Sequence, residues 1–488
     1  MAVIAAVTGL NVAQPHLALD LEASQSQVLW MINIYAISLA ALLLPLGGVG
    51  DRWGRKPVLL IGLGVFGIAN VASGLAPSTE IMMAARLLSG VGAAMIMPVT
   101  LSVITSVFPD KERSKAIGVW TGVAGAGGIL GMFLSAALVD YLSWRWLFAL
   151  PVVLVVAASV MALRAVPNSR QFFRNRFDTL GSVLSLLAIV GASFALHEGP
   201  AIGWTATETL AGLVLGAGAF IAFVVWELRH PEPLLDIRLF RKRSLASGSI
   251  SLTTWFGVQA GVFIVLYPFF QAVLGWSGLR ATLGLMPMAL LMMVFSTIAP
   301  RMSARIGPRA TIASGVLLGG AGLSLMALIV SVDGGYLSVL PGMVTMGIGM
   351  GLAMAPSTEA ITSSLPRGRQ GVASALNDVT RELGTSLGVA LLGAVFAAGY
   401  STAIAPLMSG FPEDAAAAAT QNIANAIVIA DQGLPYAGAL YRTAQQAFVQ
   451  GWQQAMWAGV AAMALLFLFV ALRGPARSAP IDEVPAEV

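Results

Sequence analysis

Residues 27–57 read QVLWMINIYAISLAALLLPLGGVGDRWGRKP. From Gln27 to Gly50 no side chain carries a charge, and then Asp51, Arg52, Arg55 and Lys56 crowd together. Crossing a hydrocarbon core of about 30 Å takes roughly 20 apolar residues in a helix. The 27–50 stretch is long enough to cross, and the charged run after it belongs at a water surface. In lipid every peptide group must be satisfied within a helix or a closed barrel. The alternating ten-residue strands of a barrel are absent from the sequence.

Outward from this stretch the same pattern recurs. Fourteen apolar segments lie at about 2–18, 27–50, 58–76, 81–107, 116–138, 145–164, 179–197, 207–228, 245–270, 281–300, 310–331, 339–360, 372–398 and 448–472. The expected fold is an all-α polytopic membrane protein. Composition agrees: 57% of the 488 residues are hydrophobic and 10% charged, against roughly 25% charged in soluble domains, and mean hydropathy is +0.83. That balance argues against a soluble enzyme, a disordered chain, a coiled coil or a secreted disulfide scaffold. With no cysteine there is no disulfide, thiolate nucleophile or Cys-ligated metal. His16, His197 and His230 lie too far apart in sequence to suggest a metal site. No cofactor is expected.

The linkers test the count of spans. With the N-terminus inside, alternate loops (51–57, 109–115, 164–178, 229–243, 301–309, 363–371 and the tail after 472) face the cytoplasm, and they hold 22 of the 27 Lys and Arg. Arg145, Arg280 and Arg442 fall at the outside, and only Arg86 and Arg381 sit mid-helix. This positive-inside bias places both termini in the cytoplasm and the chain in the plasma (inner) membrane. It also accounts for the net charge of +4 without a nucleic-acid partner. The 2–18 stretch runs on into mature structure and does not read as a signal peptide.

The halves echo one another. Gly47-Gly48-Val49-Gly50-Asp51-Arg52-Trp53-Gly54-Arg55-Lys56-Pro57 follows the second span, and a degraded copy, Ala304-Arg305-Ile306-Gly307-Pro308-Arg309, follows the tenth. Repeated six-helix halves are a transporter signature. The expected organisation is a six-helix half (1–164), a linker with two inserted helices (165–243), a second six-helix half (244–472) and a tail (473–488). The second half includes a long outer loop, 399–447. The middle of that loop, about 413–431, has helical composition, and a small hairpin and a plain connector are both open.

The intramembrane charges carry the chemistry. A cation near mid-membrane costs at least about 2.5 kcal/mol, so Arg86 needs a cavity, a partner or backbone carbonyls of the first span. In Asn377-Asp378-Val379-Thr380-Arg381-Glu382, Asp378 and Glu382 are four apart and share a helix face. Two carboxylates there repel, and a desolvated carboxylate favours its protonated form, so at least one is expected to exchange protons near neutral pH. Arg381 opposes that tendency. The same acids attract an organic cation, and protonation expels it. Aromatic faces attract quaternary ammonium and Met adapts to varied shapes. Trp30, Tyr35, Trp255, Phe256, Tyr267 and the stripe Met343, Met346, Met350 and Met354 are therefore candidate cavity residues, with ordinary packing the alternative for the stripe.

The loop G-x-x-x-D-R-x-G-R-K resembles the signature of the major facilitator superfamily. Its expected role is a conformational latch made by Gly47, Asp51, Arg52, Gly54, Arg55 and Lys56. Asp51 is expected to accept hydrogen bonds from a helix N-terminus in its own half or from a neighbouring Arg, favouring an outward-open state. Ser143-Trp144-Arg145-Trp146, Leu235-Asp236-Ile237-Arg238-Leu239-Phe240, Met286-Pro287-Met288-Ala289 and the long last outer loop extend the resemblance to the fourteen-helix drug:proton antiporters. The chain is most similar to the QacA-like and SmvA-like exporters of antiseptics, quaternary ammonium compounds and methyl viologen. The resemblance implies a place for Arg86 near the proton path.

Some family positions differ. Ala6 stands where relatives carry an Asp, and Met132 replaces a proline of the fifth-span motif. The cavity positions Asn33 and Met292 carry acids in some relatives. The resemblance then leaves coupling to Asp378 and Glu382, with Arg381 and Arg86 beside them. No P-loop occurs, so no nucleotide is expected, and an ion gradient is the implied energy source. The expected function is proton-driven export of lipophilic organic cations through the lipid bilayer by a monomer. A facilitator, an exporter of an endogenous product (antibiotic, lipid or siderophore) and a non-transporting receptor are the alternatives.

Overall fold

A computed structural model describes residues 2, 3, 6, 10, 13, 14, 17, 18, 20–167, 177–430 and 435–475. Among these residues there is no β-strand, and the chain is a succession of helices. They are α1 (Gln25–Trp53), α2 (Arg55–Gly74), α3 (Thr79–Val107), α4 (Asp110–Tyr141), α5 (Ala149–Ala165), α6 (Thr179–Ile202), α7 (Thr207–Arg229), α8 (Arg243–Pro268), α9 (Gly278–Ile306), α10 (Pro308–Ile329), α11 (Gly335–Thr362), α12 (Gln370–Ile404), α13 (Glu413–Gln421), α14 (Ile423–Ala430) and α15 (Ala437–Arg473). Thirteen of them are long and apolar enough to cross a membrane, as expected of a multi-pass membrane protein. The first expected span, 2–18, lies largely outside the described residues.

Helix ends follow local chemistry. Ser24 and Gln27 form a reciprocal capping box at the start of α1. Asp178 caps α6, accepting from the Gly181 amide at 2.8 Å. One residue, Gly54 (φ 109°), separates α1 from α2, and Gly307 (φ 92°) separates α9 from α10 in the same way. Both φ values suit glycine rather than a residue with a Cβ, and the two signature-like loops of the sequence turn alike. The last span differs most from its apolar boundary: it begins at Ala437 rather than 448, because its first turns carry Tyr441 and Gln445, which bond the carbonyls of Ala272 (2.7 Å) and Val273 (3.0 Å). The 399–447 loop is mostly helical, with α13 and α14 packed together and the Tyr400 hydroxyl donating to the Ala419 carbonyl at 2.8 Å. Gly433 and Leu434 lie outside the described residues.

Packing sorts these helices. α1, α2, α3 and α5 build one core around Tyr35, Phe66 and Ala93, and α8–α12 with α15 build another around Trp255, Phe269 and Trp452. The pair α6–α7 packs on itself, and α6 lies against α1 and α12. Between the groups α12 meets α1 and α3, while α4 meets α9 and α11. These seams position the charged residues described next.

Candidate functional site

At the basic end of α1 the Asp51 carboxylate is 2% exposed. It accepts from the Gly371 amide at 2.9 and 2.8 Å and from the Val372 amide at 3.2 Å. Those amides belong to the first turn of α12, where donors lack intrahelical partners and the helix dipole favours an anion. The helix is in the opposite group, not in the same half as the sequence suggested. The loop spacing cannot reveal which helix start a carboxylate meets. Arg55 Nη2 pairs with Asp51 Oδ1 at 3.1 Å. A Cβ on Gly47 would lie 2.6 Å from the Gly371 carbonyl oxygen, so glycine there lets the helices close. Arg52 lies over the Phe177 ring at 5.5 Å, and Lys56 donates to the Leu163 carbonyl at 2.8 Å.

A second clasp at that end escaped the sequence reading. Ser114 on α4 donates to the Glu359 carboxylate on α11. Its signal was a lone acid near the end of the apolar α11. Asp51 and Glu359 thus fasten the two helix groups at separate seams.

Deeper in the bundle Arg86 is fully buried. Its Nε donates to the Met31 carbonyl and its Nη2 to the Ala6 carbonyl, each at 3.2 Å. Its guanidinium lies 4.2 Å from the centre of the Tyr35 ring, and the Tyr35 hydroxyl donates to the Val3 carbonyl at 3.1 Å. Nη1 of Arg86 finds no acceptor among the described residues. The residue therefore ties the first stretch to α1 through backbone carbonyls.

On α12 Asp378 is fully buried. Its Oδ1 accepts from Asn377 Nδ2 at 3.2 Å and sits 3.6 Å from Arg381 Nη1, whereas Oδ2 has no hydrogen-bond partner among the described residues. Arg381 spans the seam between groups: its guanidinium lies 4.5 Å from the Phe256 ring centre and 5.5 Å from that of Trp120 on α4. Trp120 was not singled out from sequence, because nothing in its neighbourhood marks it until α4 is placed opposite α12. Asp378, Arg381, Trp120 and Phe256 form an anion, a cation and two aromatic faces in one place. Glu382 is half-buried one turn further along α12.

The remaining cavity candidates scatter. The Trp30 ring lies tilted against that of Phe194 of α6, centroids 5.8 Å apart, and Asn33 is half-buried on the same helix as Trp30, α1. Trp255 is wholly buried against Gly319 and Gly349, inside the α8–α12 core rather than beside the charged cluster. Met346 is packed against Gly322, and Met343, Met350 and Met354 are buried with it, so the stripe is core. Met292 crosses the seam between α9 and α4, filling the space beside Gly125.

The major facilitator superfamily model matches residues 1–389. This chain belongs to the major facilitator superfamily. It is a member of a transporter family rather than an enzyme. Among its superfamily relatives, the multidrug resistance protein Stp of Mycobacterium tuberculosis is 30% identical over 94% of this chain and 87% of that protein. The methyl viologen resistance protein SmvA of Salmonella typhimurium is 29% identical over 95% of this chain and 94% of that protein. The superfamily fold is shared with the human organic anion transporter MFSD10, at TM-score 0.63 and 13% identity, covering 96% of this chain and 97% of that one.

Proposed function

We propose that this transporter exports lipophilic cations, quaternary ammonium compounds among them, in exchange for protons across the plasma membrane. The basic end faces the cytoplasm with both termini, and the monomer is the working unit. Residues 1–164 and 244–472 act as the rocking halves, 165–243 as an inserted unit and 473–488 as a tail. The observation that carries this reading is the buried Asp378, with one oxygen unpartnered among the described residues and Arg381 held between two aromatic faces.

A cation attracted to Asp378 and Glu382 displaces the Arg381 guanidinium from the Trp120 and Phe256 faces, which then hold the substrate. The clasps at Asp51 and Glu359 open to admit it and close behind it. Protons arriving from the opposite side neutralise the carboxylates, and the substrate leaves. The closed basic end fits this last stage. Multidrug resistance and methyl viologen resistance among the relatives support the substrate class.

The test is dye-cation transport in reconstituted vesicles with an imposed pH gradient. Asp378→Asn with Glu382→Gln is expected to abolish pH-driven transport, and undiminished transport in that variant overturns the assignment. A second reading, export or facilitated passage of an endogenous product with altered coupling, is favoured by one observation: Arg86 is held by the Met31 and Ala6 backbone carbonyls, a structural use of its charge. Accumulation against a gradient that a protonophore collapses decides for coupled transport.

A further inference from the structure

The inserted pair α6–α7 carries a second ionisable cluster, away from the transport path. Asp178 Oδ1 accepts from the Gly181 amide and, at 2.9 Å, from Trp226 Nε1 on α7, while Oδ2 accepts from the Leu234 amide at 3.3 Å. Glu227 on α7 is 1% exposed, and its Oε2 accepts from the Leu235 amide at 3.1 Å. Among the described residues its Oε1 has no donor. What Oε1 faces is the other acid: a Cβ on Gly181 would touch Glu227 Oε1 and lie 2.5 Å from Asp178 Oδ2. Two bare carboxylates crowding one buried point repel, and one proton between them converts the repulsion into a strong hydrogen bond.

Among the described residues two basic groups stand beside the pair. His230 Nδ1 is 4.0 Å from Asp178 Oδ2, and the Arg369 charge reaches Glu227. Asp51, Arg52, Asp178, Glu232 and Arg369 line one 30 Å³ cavity, with room for a water.

The segment 233–235 joins this pair to the latch. The Leu234 side chain lies against Gly48 of α1, 2.9 Å from where its Cβ would be. The Pro233 carbonyl accepts from Arg369 Nη1 at 3.1 Å, and Arg369 directly precedes α12, whose first amides bind Asp51. The strap is thus tied on one side to both acids and on the other to both members of the latch.

We propose that Asp178 and Glu227 bind one shared proton from the water at the basic end, and that this proton holds the 233–235 strap on the Asp51 latch. With the proton bound the strap stays. As pH rises the proton leaves, the carboxylates push apart, the Leu234 and Leu235 amides lose their acceptors, and the closed state weakens. The inserted helices then make the gate respond to pH at that end, independently of Asp378 and Glu382.

Backbone hydrogen exchange on the whole protein in lipid nanodiscs tests this from about pH 6 to about pH 9. After correction for intrinsic base catalysis, protection of the Leu234 and Leu235 amides is expected to fall about tenfold per pH unit while the closed state still holds the proton and opening releases it, and to level off once the closed state has lost it too. Protection of Leu239 and Lys242, bonded to backbone carbonyls, is expected to stay level. Level protection at all four overturns the shared proton. Glu227→Gln places a permanent donor against Asp178 and is expected to make protection pH-independent; a wild-type slope in that variant also overturns the pair. If the variant does not fold, the wild-type exchange still decides.

The chain lacks cysteine, so spin labels on Trp53→Cys and Ser363→Cys report on the basic end alone. Their distance distribution is expected to lengthen with pH in the otherwise native protein and to stay fixed with Glu227→Gln. Exchange that titrates while the distances do not move overturns the link to the latch.

Discussion

The Asp51 carboxylate and the Gly371 amide, 320 positions apart, meet at 2.9 and 2.8 Å across the seam between α1 and α12. One side chain on one helix end thereby satisfies donors that a helix start otherwise leaves to water. Hydrogen bonds to a charged group contribute about 1.5–3 kcal/mol each. The contact is strong enough to bias two states of a transporter and weak enough to break in a cycle.

Asp51→Asn keeps one acceptor and removes the charge. A loss of roughly 2 kcal/mol shifts the closed-to-open ratio of the basic end about thirtyfold toward open. Double electron–electron resonance between labels on the two helix groups is expected to show that shift, and an unchanged distribution counts against the latch.

Ser114→Ala removes the donor to Glu359 at the second seam. The two clasps share no residue, so their effects on the closed state are expected to add within about 0.5 kcal/mol. A double-mutant cycle with Asp51→Asn, read by the same distances, checks this. Strong non-additivity points to one coupled latch.

Trp120→Ala and Phe256→Ala each remove one face around the Arg381 guanidinium. A desolvated cation–π contact contributes about 1–2 kcal/mol, so binding of a quaternary ammonium probe is expected to weaken about five- to thirtyfold. A neutral probe of equal size is expected to bind nearly as before. Equal losses for both probes signal collapse of packing instead.

Arg86→Lys preserves a positive charge but not the fork that reaches Met31 and Ala6 together. Thermal stability is expected to fall, by about 1–3 kcal/mol in unfolding free energy, with Lys rescuing little over Met. A stability equal to wild type removes the structural role assigned to those carbonyl bonds.

One proton exchanged for one monovalent cation moves no net charge. Proton-driven transport of such a substrate is then expected to persist when the membrane potential is collapsed and to stop when the pH gradient is. The potential acts at about 2.3 kcal/mol per charge per 100 mV. Transport that follows the potential instead requires a different stoichiometry.

The fold was legible because lipid imposes one rule on every span: long apolar runs become helices, and the charges of 51–57 and 301–309 fall where Gly54 and Gly307 turn the chain. Partners across seams were not legible. Asp51 announces an anion needing donors, but only packing of α1 on α12 selects Gly371. Trp120 gains meaning only when α4 lies opposite Arg381, and Trp255, an equally plausible aromatic by composition, points into its own helix group. The polar first turns of the last span also hid its true start, since a scale of apolarity marks where lipid begins and not where hydrogen bonding does.

The short helices Glu413–Gln421 and Ile423–Ala430 sit at the end opposite the basic loops, pinned by the bond from the Tyr400 hydroxyl to the Ala419 carbonyl. Because Tyr400 belongs to α12, an antibody fragment gripping that knob would ride with one helix group and leave the other untouched. It would serve as an orientation marker for electron microscopy, telling one end of the particle from the other.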